Sequence, residues 1–247
     1  MPTFVVRLVA STLLLGATAT AQAALPEDRA DERQRLMQTV AAQMRETGSA
    51  TGRPALSERV MTVMRQVPRH AFVPEDQQPN AYQNRPLPIG HGQTISQPYI
   101  VALMTELTQA QPNHKVLEVG TGSGYQAAVM AQLVRAVYSI EIVEPLGLAA
   151  RERLQQLGFR NVEVRLGDGY HGWEEHAPYD AILVTAAASH IPPPLIRQLK
   201  PGGRMVIPVG AAFLVQQLML VEKNADGTIS TRQILPVAFV PLTGSGR

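Results

Sequence analysis

The sequence predicts an α/β protein: a mostly parallel, Rossmann-like sheet with helices on both faces, closed by an antiparallel hairpin and preceded by an N-terminal helical segment. Three observations predict it. From Val116 onward, apolar strand-like runs alternate with helix-like segments, as a parallel sheet requires when each crossover returns through a helix. The run Val116-Leu-Glu-Val-Gly-Thr-Gly-Ser-Gly-Tyr125 reads as a buried strand entering a glycine-rich turn and then a helix. Two late apolar runs, 214–222 and 232–240, flank Asn224-Ala225-Asp226-Gly227, a hairpin signal.

The elements follow in order. Arg7 precedes an apolar or small stretch from Leu8 to Ala21, and Ala21-Gln22-Ala23 offers small residues at the spacing a signal peptidase reads, so residues 1–23 read as a cleaved secretory signal. The stretch is shorter than the ~20 residues a spanning helix needs. A periplasmic or secreted protein without stable membrane insertion is expected, with the cytoplasm as the default if the leader is not functional. Leu36, Val40 and Met44 recur at helical spacing within 27–47. Gly48 to Pro54 reads as a loop. Ser57 reads as the N-cap of a helix carrying Val60, Met61 and Met64, which Pro68 stops. Residues 68–98 are rich in Pro, Gly, Asn and Gln and read as irregular. Ser96-Gln97-Pro98 before an apolar run has the form of a helix cap with an early proline. Strands are expected at 116–120, 137–141, 162–166, 180–185 and 204–209, and helices at 125–134, 145–157 and 194–200, with Pro201-Gly202-Gly203 turning the last helix into a strand.

Composition narrows the function classes. The chain has 247 residues, 45% hydrophobic and 17% charged, enough for one large domain with a substantial core. With 22 basic and 20 acidic side chains and no basic run, a nucleic-acid partner is not expected. Zero cysteines exclude disulfides, thiolate nucleophiles and cysteine metal sites. His171 and His176 are five apart, not the i, i+4 spacing of two ligands on one helix face, so no metal is expected and they read as loop residues.

The glycine turn carries the chemistry. Gly120, Gly122 and Gly124 let backbone approach a ligand closely. A dinucleotide fingerprint needs glycine three positions after Gly122, where Tyr125 stands, and no lysine follows as in a triphosphate loop. Three acids mark successive strand ends: Glu118, Glu141 and Asp168. Glu141 suits ribose hydroxyls and Asp168 an adenine amino group at the sheet edge where α/β folds bind ligands. An adenosyl cofactor with a cationic centre and no phosphate, S-adenosylmethionine, fits acids better than a dinucleotide does.

Four segments together resemble the protein-L-isoaspartate O-methyltransferase family: Val67-Pro-Arg-His-Ala-Phe-Val-Pro74, Ile89-Gly-His-Gly-Gln-Thr-Ile-Ser-Gln-Pro-Tyr99, the glycine turn, and Gly167-Asp-Gly169. The resemblance runs from about Val67 to Leu242. It implies a seven-stranded methyltransferase sheet and S-adenosylmethionine as donor. It also implies methylation of the α-carboxylate of isoaspartyl residues in damaged proteins and peptides, whose ester collapses to a succinimide. Carried over by position, Ser96 is similar to the family's active-site serine. Glu118, Gly120, Gly122, Glu141, Asp168 and Gly169 are similar to its cofactor contacts, and His91, Thr94 and Ile95 to its peptide-holding loop. The family often has Arg after the second-strand acid, where this chain has Ile142. Residues 24–98 are then N-terminal helices and substrate loop, 99–247 the methyltransferase domain, and a monomer is expected. Two other readings stand beside it: a non-catalytic peptide-binding module on the same scaffold, and a small-molecule methyltransferase.

Overall fold

The computed structural model describes residues 28–245, and the expected leader lies outside the described residues. The N-terminal segment is helical. Helix α1 (Ala30–Glu46) buries Leu36, Met37, Val40 and Met44, one stripe at the three-and-four spacing. The expected loop after it holds a short helix, α2 (Gly48–Thr51), ended by Gly52 at φ 67°. Ser57 caps α3 (Glu58–Gln66) as the sequence suggests: its hydroxyl accepts the Val60 N–H and donates to Glu106 Oε2 at 2.8 Å.

Residues 68–98 depart from the irregular segment expected. They form two 3₁₀ turns (Arg69–Phe72 and Glu75–Asn80) and a small antiparallel hairpin of β1 (Leu87–Gly90) and β2 (Gln93–Ile95). Pro88 and the two turn glycines mask the strand signal, yet Leu87, Ile89 and Ile95 are buried in alternation. The cap expected at Ser96 is also corrected. The cap position of α4 (Pro98–Thr108) falls on Gln97, whose own side chain does not cap the helix; Pro98 fills the first turn, and Asn84 Oδ1 accepts the Tyr99 N–H at 3.0 Å. Every residue of α4 is buried.

The main sheet has the seven strands expected. Strand β3 (Lys115–Val119) leads to α5 (Tyr125–Ala131), β4 (Ala136–Glu141), α6 (Glu144–Gln156), β5 (Val162–Leu166) and β6 (Tyr179–Val184). Then follow α7 (Pro193–Gln198), β7 (Leu199–Val209), β8 (Gln216–Lys223) and β9 (Ile229–Val237). The order is β5-β4-β3-β6-β7-β8-β9, with the first five strands parallel and the last two antiparallel. Helix α7 ends earlier than expected, so Pro201-Gly202-Gly203 falls inside β7, next to a break in register against β6.

Strand parity divides the core in two. Val116, Val137, Leu183 and Val206 face the helical cluster containing α1, α3, α4 and α5. Leu117, Val119, Ile140, Ile182, Val184 and Ile207 face the opposite cluster, with Leu195 of α7 and Trp173. The chain runs outward from β3 to β5 and then crosses back to β6. The reversal between β3 and β6 opens a crevice beyond their carboxyl ends, where such sheets bind ligands.

Candidate functional site

The glycine turn lies in that crevice. Gly120, Gly122 and Gly124 have φ of 99°, 53° and 88°, which side-chain-bearing residues rarely adopt. At Gly120 a Cβ would also collide with Thr185 Oγ1 at the end of β6. The Thr185 hydroxyl donates to the Gly120 carbonyl at 2.6 Å, which sets the turn against the strand. At Gly169 a Cβ would run into the Val119 side chain. The sequence thus keeps two walls of the cleft free of side chains. The cleft encloses about 760 Å³ of empty space, part of it open to solvent.

Glu141 holds the turn from the neighbouring strand. One carboxylate oxygen accepts the Gly122 N–H at 2.7 Å and the other the Val143 N–H at 2.9 Å. The side chain lines the cleft, and each oxygen keeps a further lone pair for a hydroxyl donor. Ile142, standing where the family often has Arg, is 41% exposed and lines the same cleft.

Glu118 is placed differently from the sequence expectation. Its parity with Val116 turns it to the helical face of the sheet, fully buried and behind the cleft wall rather than in it. The Ser139 hydroxyl donates to one of its oxygens, and the Thr121 hydroxyl lies 2.6 Å from Ser139 Oγ. Thr121 is the member of this chain that reaches the cleft. The other Glu118 oxygen has no partner among the described residues. Burial raises the Glu118 carboxyl from an ordinary 4.5 to about 8; the Ser139 bond opposes the shift and the Glu141 charge adds to it. The unfolded chain therefore releases this proton near pH 4.5 and the folded chain near pH 8. The stabilising contribution is complete below the lower value and is lost as pH rises through the upper one. Urea unfolding of wild type and Glu118→Gln at several pH values checks this: wild type is expected to lose stability relative to the variant between pH 5 and pH 8. A gap constant with pH would contradict it.

Asp168 follows β5, at the third strand end, but is engaged within the chain. It accepts the Tyr170 N–H at 2.9 Å and the Ser245 N–H at 2.7 Å. Burial alone would raise its pKa. The bonds from Ser245 and Tyr170 and the charge of His171 outweigh burial and hold it below the ordinary value. The C-terminal segment explains the Ser245 contact. Val240 and Leu242 bond the Ala187 backbone at 2.8 Å, residues 240–243 line the cleft, and the chain ends its described course on Asp168. Gly169, next to Asp168, lines the cleft directly.

On the opposite side the β1–β2 hairpin and the start of α4 bring Thr94, Ile95 and Ser96 to the cleft. Thr94 and Ser96 also line a second, adjoining cleft, as do Thr185 and Val240. His91, at φ 52°, is exposed at the hairpin tip and lines neither cleft. Of the two histidines read as loop residues, His171 lies 4.0 Å from Asp168, and His176 is stacked on the Tyr138 ring at 3.9 Å rather than solvated. No group of three metal-ligating side chains occurs among the described residues, and no helix there is long and apolar enough to cross a membrane.

Sequence reasoning missed several participants. Thr185 gives no signal beyond ending a strand. Thr121 and Ser139 acquire meaning only through pairing of β3 with β4. Arg69 is fully buried, lies 5.0 Å from the Tyr125 ring and donates to the Ala81 carbonyl, tying the N-terminal segment to the residue that opens α5. Tyr125 packs there, and its ring meets Phe72 edge-on.

Known proteins resemble this chain in sequence and in fold. The family model described as protein-L-isoaspartate(D-aspartate) O-methyltransferase matches residues 39–247. The chain is 81% identical over 209 residues to protein-L-isoaspartate O-methyltransferase 2 of Polaromonas sp. strain JS666, covering 85% of this chain and 99% of that one. It is 66% identical over 221 residues to protein-L-isoaspartate O-methyltransferase 1 of Cupriavidus necator, covering 90% and 84%. Among solved structures, a protein-L-isoaspartate O-methyltransferase superposes with a TM-score of 0.76 at 28% identity, over 87% of this chain and 67% of that one. A candidate protein-L-isoaspartate O-methyltransferase from Plasmodium falciparum, in complex with S-adenosyl-L-homocysteine, gives 0.70 at 25% identity over 85% and 98%.

Proposed function

We propose residue roles from the premise that this chain belongs to the protein-L-isoaspartate(D-aspartate) O-methyltransferase family. It transfers a methyl group from S-adenosyl-L-methionine to the α-carboxylate of L-isoaspartyl residues in damaged proteins and peptides, the step that starts their repair. The readings as a non-catalytic binding module or a small-molecule methyltransferase are set aside on that ground.

The observation that carries the residue assignment is the junction of the two clefts. Thr94, Ser96 and Thr185 face both, so a donor over the glycine turn and a peptide in the second cleft meet at these side chains. The turn fits an adenosyl donor: Cβ-free walls at Gly120 and Gly169 admit it closely, and Glu141 offers free lone pairs toward ribose hydroxyls. When bound, the donor supplies an electrophilic methyl on a sulfonium. Gly122 shapes the floor, and Glu118 acts from behind through Ser139 and Thr121. Asp168 fixes the C-terminal segment that covers the cleft and stands beside Gly169 at the adenine end.

The peptide α-carboxylate, whose ordinary pKa is about 3.5, is ionised at neutral pH, so no strong base is needed. Orientation carries the rate, and well-aligned groups gain about 7–11 kcal/mol from it. The Ser96 hydroxyl donates to one carboxylate oxygen and leaves the other aimed at the methyl. Ile95 packs beneath, Thr94 holds the peptide backbone, and His91 meets substrate only beyond the clefts, at the hairpin tip. Ser96→Ala is expected to lower kcat about a hundredfold, near the loss of one oriented donor, with donor affinity within about twofold of wild type. Steady-state methylation and calorimetry check it. Unchanged kcat would remove Ser96 from the reaction.

Residues 1–23 are assigned to export. The support is the apolar run and the small residues at Ala21 and Ala23, which would place the mature protein outside the cytoplasm. A shorter mature chain in the periplasmic fraction checks this.

A further inference from the structure

The loop joining β7 to β8 leaves its apolar side chains in water. Phe213 is 87% exposed, Leu214 66% and Val215 69%, whereas the other exposed large apolar side chains among the described residues, Ile142, Leu148 and Ile229, stand singly. Three consecutive exposed apolar residues on an otherwise ordinary surface mark an interaction site rather than chance. The loop is also held in shape. Gln216, 1% exposed, donates to the Ala211 carbonyl at 3.2 Å and the Leu214 carbonyl at 2.6 Å, and accepts the Phe239 N–H at 2.8 Å. Those bonds let the polar backbone of the loop be satisfied while its side chains point outward. Phe213 has φ 62°, a conformation that costs a bulky residue free energy and that glycine would adopt freely.

The loop continues the peptide cleft. Val215 lines that cleft together with Ser96, Thr94 and Ile100. A peptide with its isoaspartyl carboxylate at Ser96 passes Val215 as it leaves the cleft, and a further residue or two, at about 3.3 Å each, extends past it. We propose that Phe213, Leu214 and Val215 form a docking surface for an extended, apolar polypeptide segment flanking the isoaspartyl residue, so that the enzyme selects damage in unfolded, core-derived sequence. Such segments expose apolar side chains only when their protein has lost its fold. The surface would therefore favour substrates whose structure is already compromised. This inference rests on the peptide-methylating reading of the same site.

The test uses the full chain and two synthetic peptides with one isoaspartyl core. One carries Leu and Phe at the second to fourth positions on both sides, and its twin carries Ser and Thr there. Wild type is expected to show a KM about tenfold lower for the apolar peptide, the effect of burying about one modest apolar side chain. Phe213→Ser combined with Leu214→Ser is expected to raise the apolar KM to that of the polar twin, with the effect confined to KM. Equal KM values in wild type, or a preference that survives the double substitution, would overturn the proposal while methyl transfer to both peptides left the underlying reading intact. Transfer to neither peptide would sink that reading itself. A wild-type dimer in sedimentation that the double variant breaks, without any flank preference, would assign the surface to a second copy and overturn the proposal.

Discussion

Gly120→Ala is expected to destabilise the protein by about 3–5 kcal/mol and to abolish detectable donor binding. Two costs add at this position. The backbone at φ 99° disfavours any Cβ, and the added methyl would enter the space of Thr185 Oγ1. Thr185 cannot simply rotate away, because its hydroxyl donates to the Val119 and Gly120 carbonyls at 3.0 and 2.6 Å. Moving it would take that donor from the Gly120 carbonyl, while the Val119 carbonyl keeps the Thr185 N–H at 2.9 Å. Urea unfolding measures the loss. Thr185→Ala added to Gly120→Ala removes the overlap but not the dihedral cost, so the double variant should be more stable than the two single losses predict, with a coupling of about 1–2 kcal/mol. A Gly120→Ala protein as stable as wild type would show that the turn is not under this constraint.

Glu141→Gln is expected to weaken S-adenosylhomocysteine binding about a hundredfold, or about 2.8 kcal/mol. The substitution keeps the shape of the side chain. However, both carboxylate oxygens accept backbone N–H groups, from Gly122 and Val143, and an amide can accept only through its oxygen. Its NH₂ would then face a backbone donor across about 3 Å, leaving that donor unpaired and pushing the turn off its position. The lone pairs available to ribose hydroxyls fall with it. Calorimetric titration of the two proteins decides the matter. Equal affinities would mean that Glu141 neither shapes the turn nor meets the ligand.

Much of the sheet is legible in the sequence because its strands are buried on both faces and read as continuous apolar runs. Spacing alone places the glycine turn and the three strand-end acids, and β3, β4 and β5 do lie side by side in the sheet. Side-chain direction is less legible. Position along the chain groups Glu118 with Glu141, and both share the face of Val116 and Val137, but Glu118 pairs with Ser139, two residues short of Glu141, and so lies deeper in the helical core, where a buried serine meets it. The β1–β2 hairpin is hidden because Pro88, Gly90 and Gly92 carry turn chemistry within very short strands. Ser96 has the look of a cap because Pro98 follows it. Helix α4 instead begins one residue later, which leaves Ser96 facing the clefts. The C-terminal segment over the cleft is not legible at all. Its contacts with Ala187 and Asp168 join residues more than fifty positions apart, and no local pattern encodes them.

The central claim is that donor and damaged peptide meet at Ser96 between two adjoining clefts. The most direct measurement is transfer of a tritiated methyl group from S-adenosylmethionine to an isoaspartyl peptide and to its aspartyl twin of the same sequence. Label should enter the isoaspartyl peptide as base-labile ester and leave the twin at background. Equal labelling of the twin, or no labelling of either at saturating donor, would contradict the account.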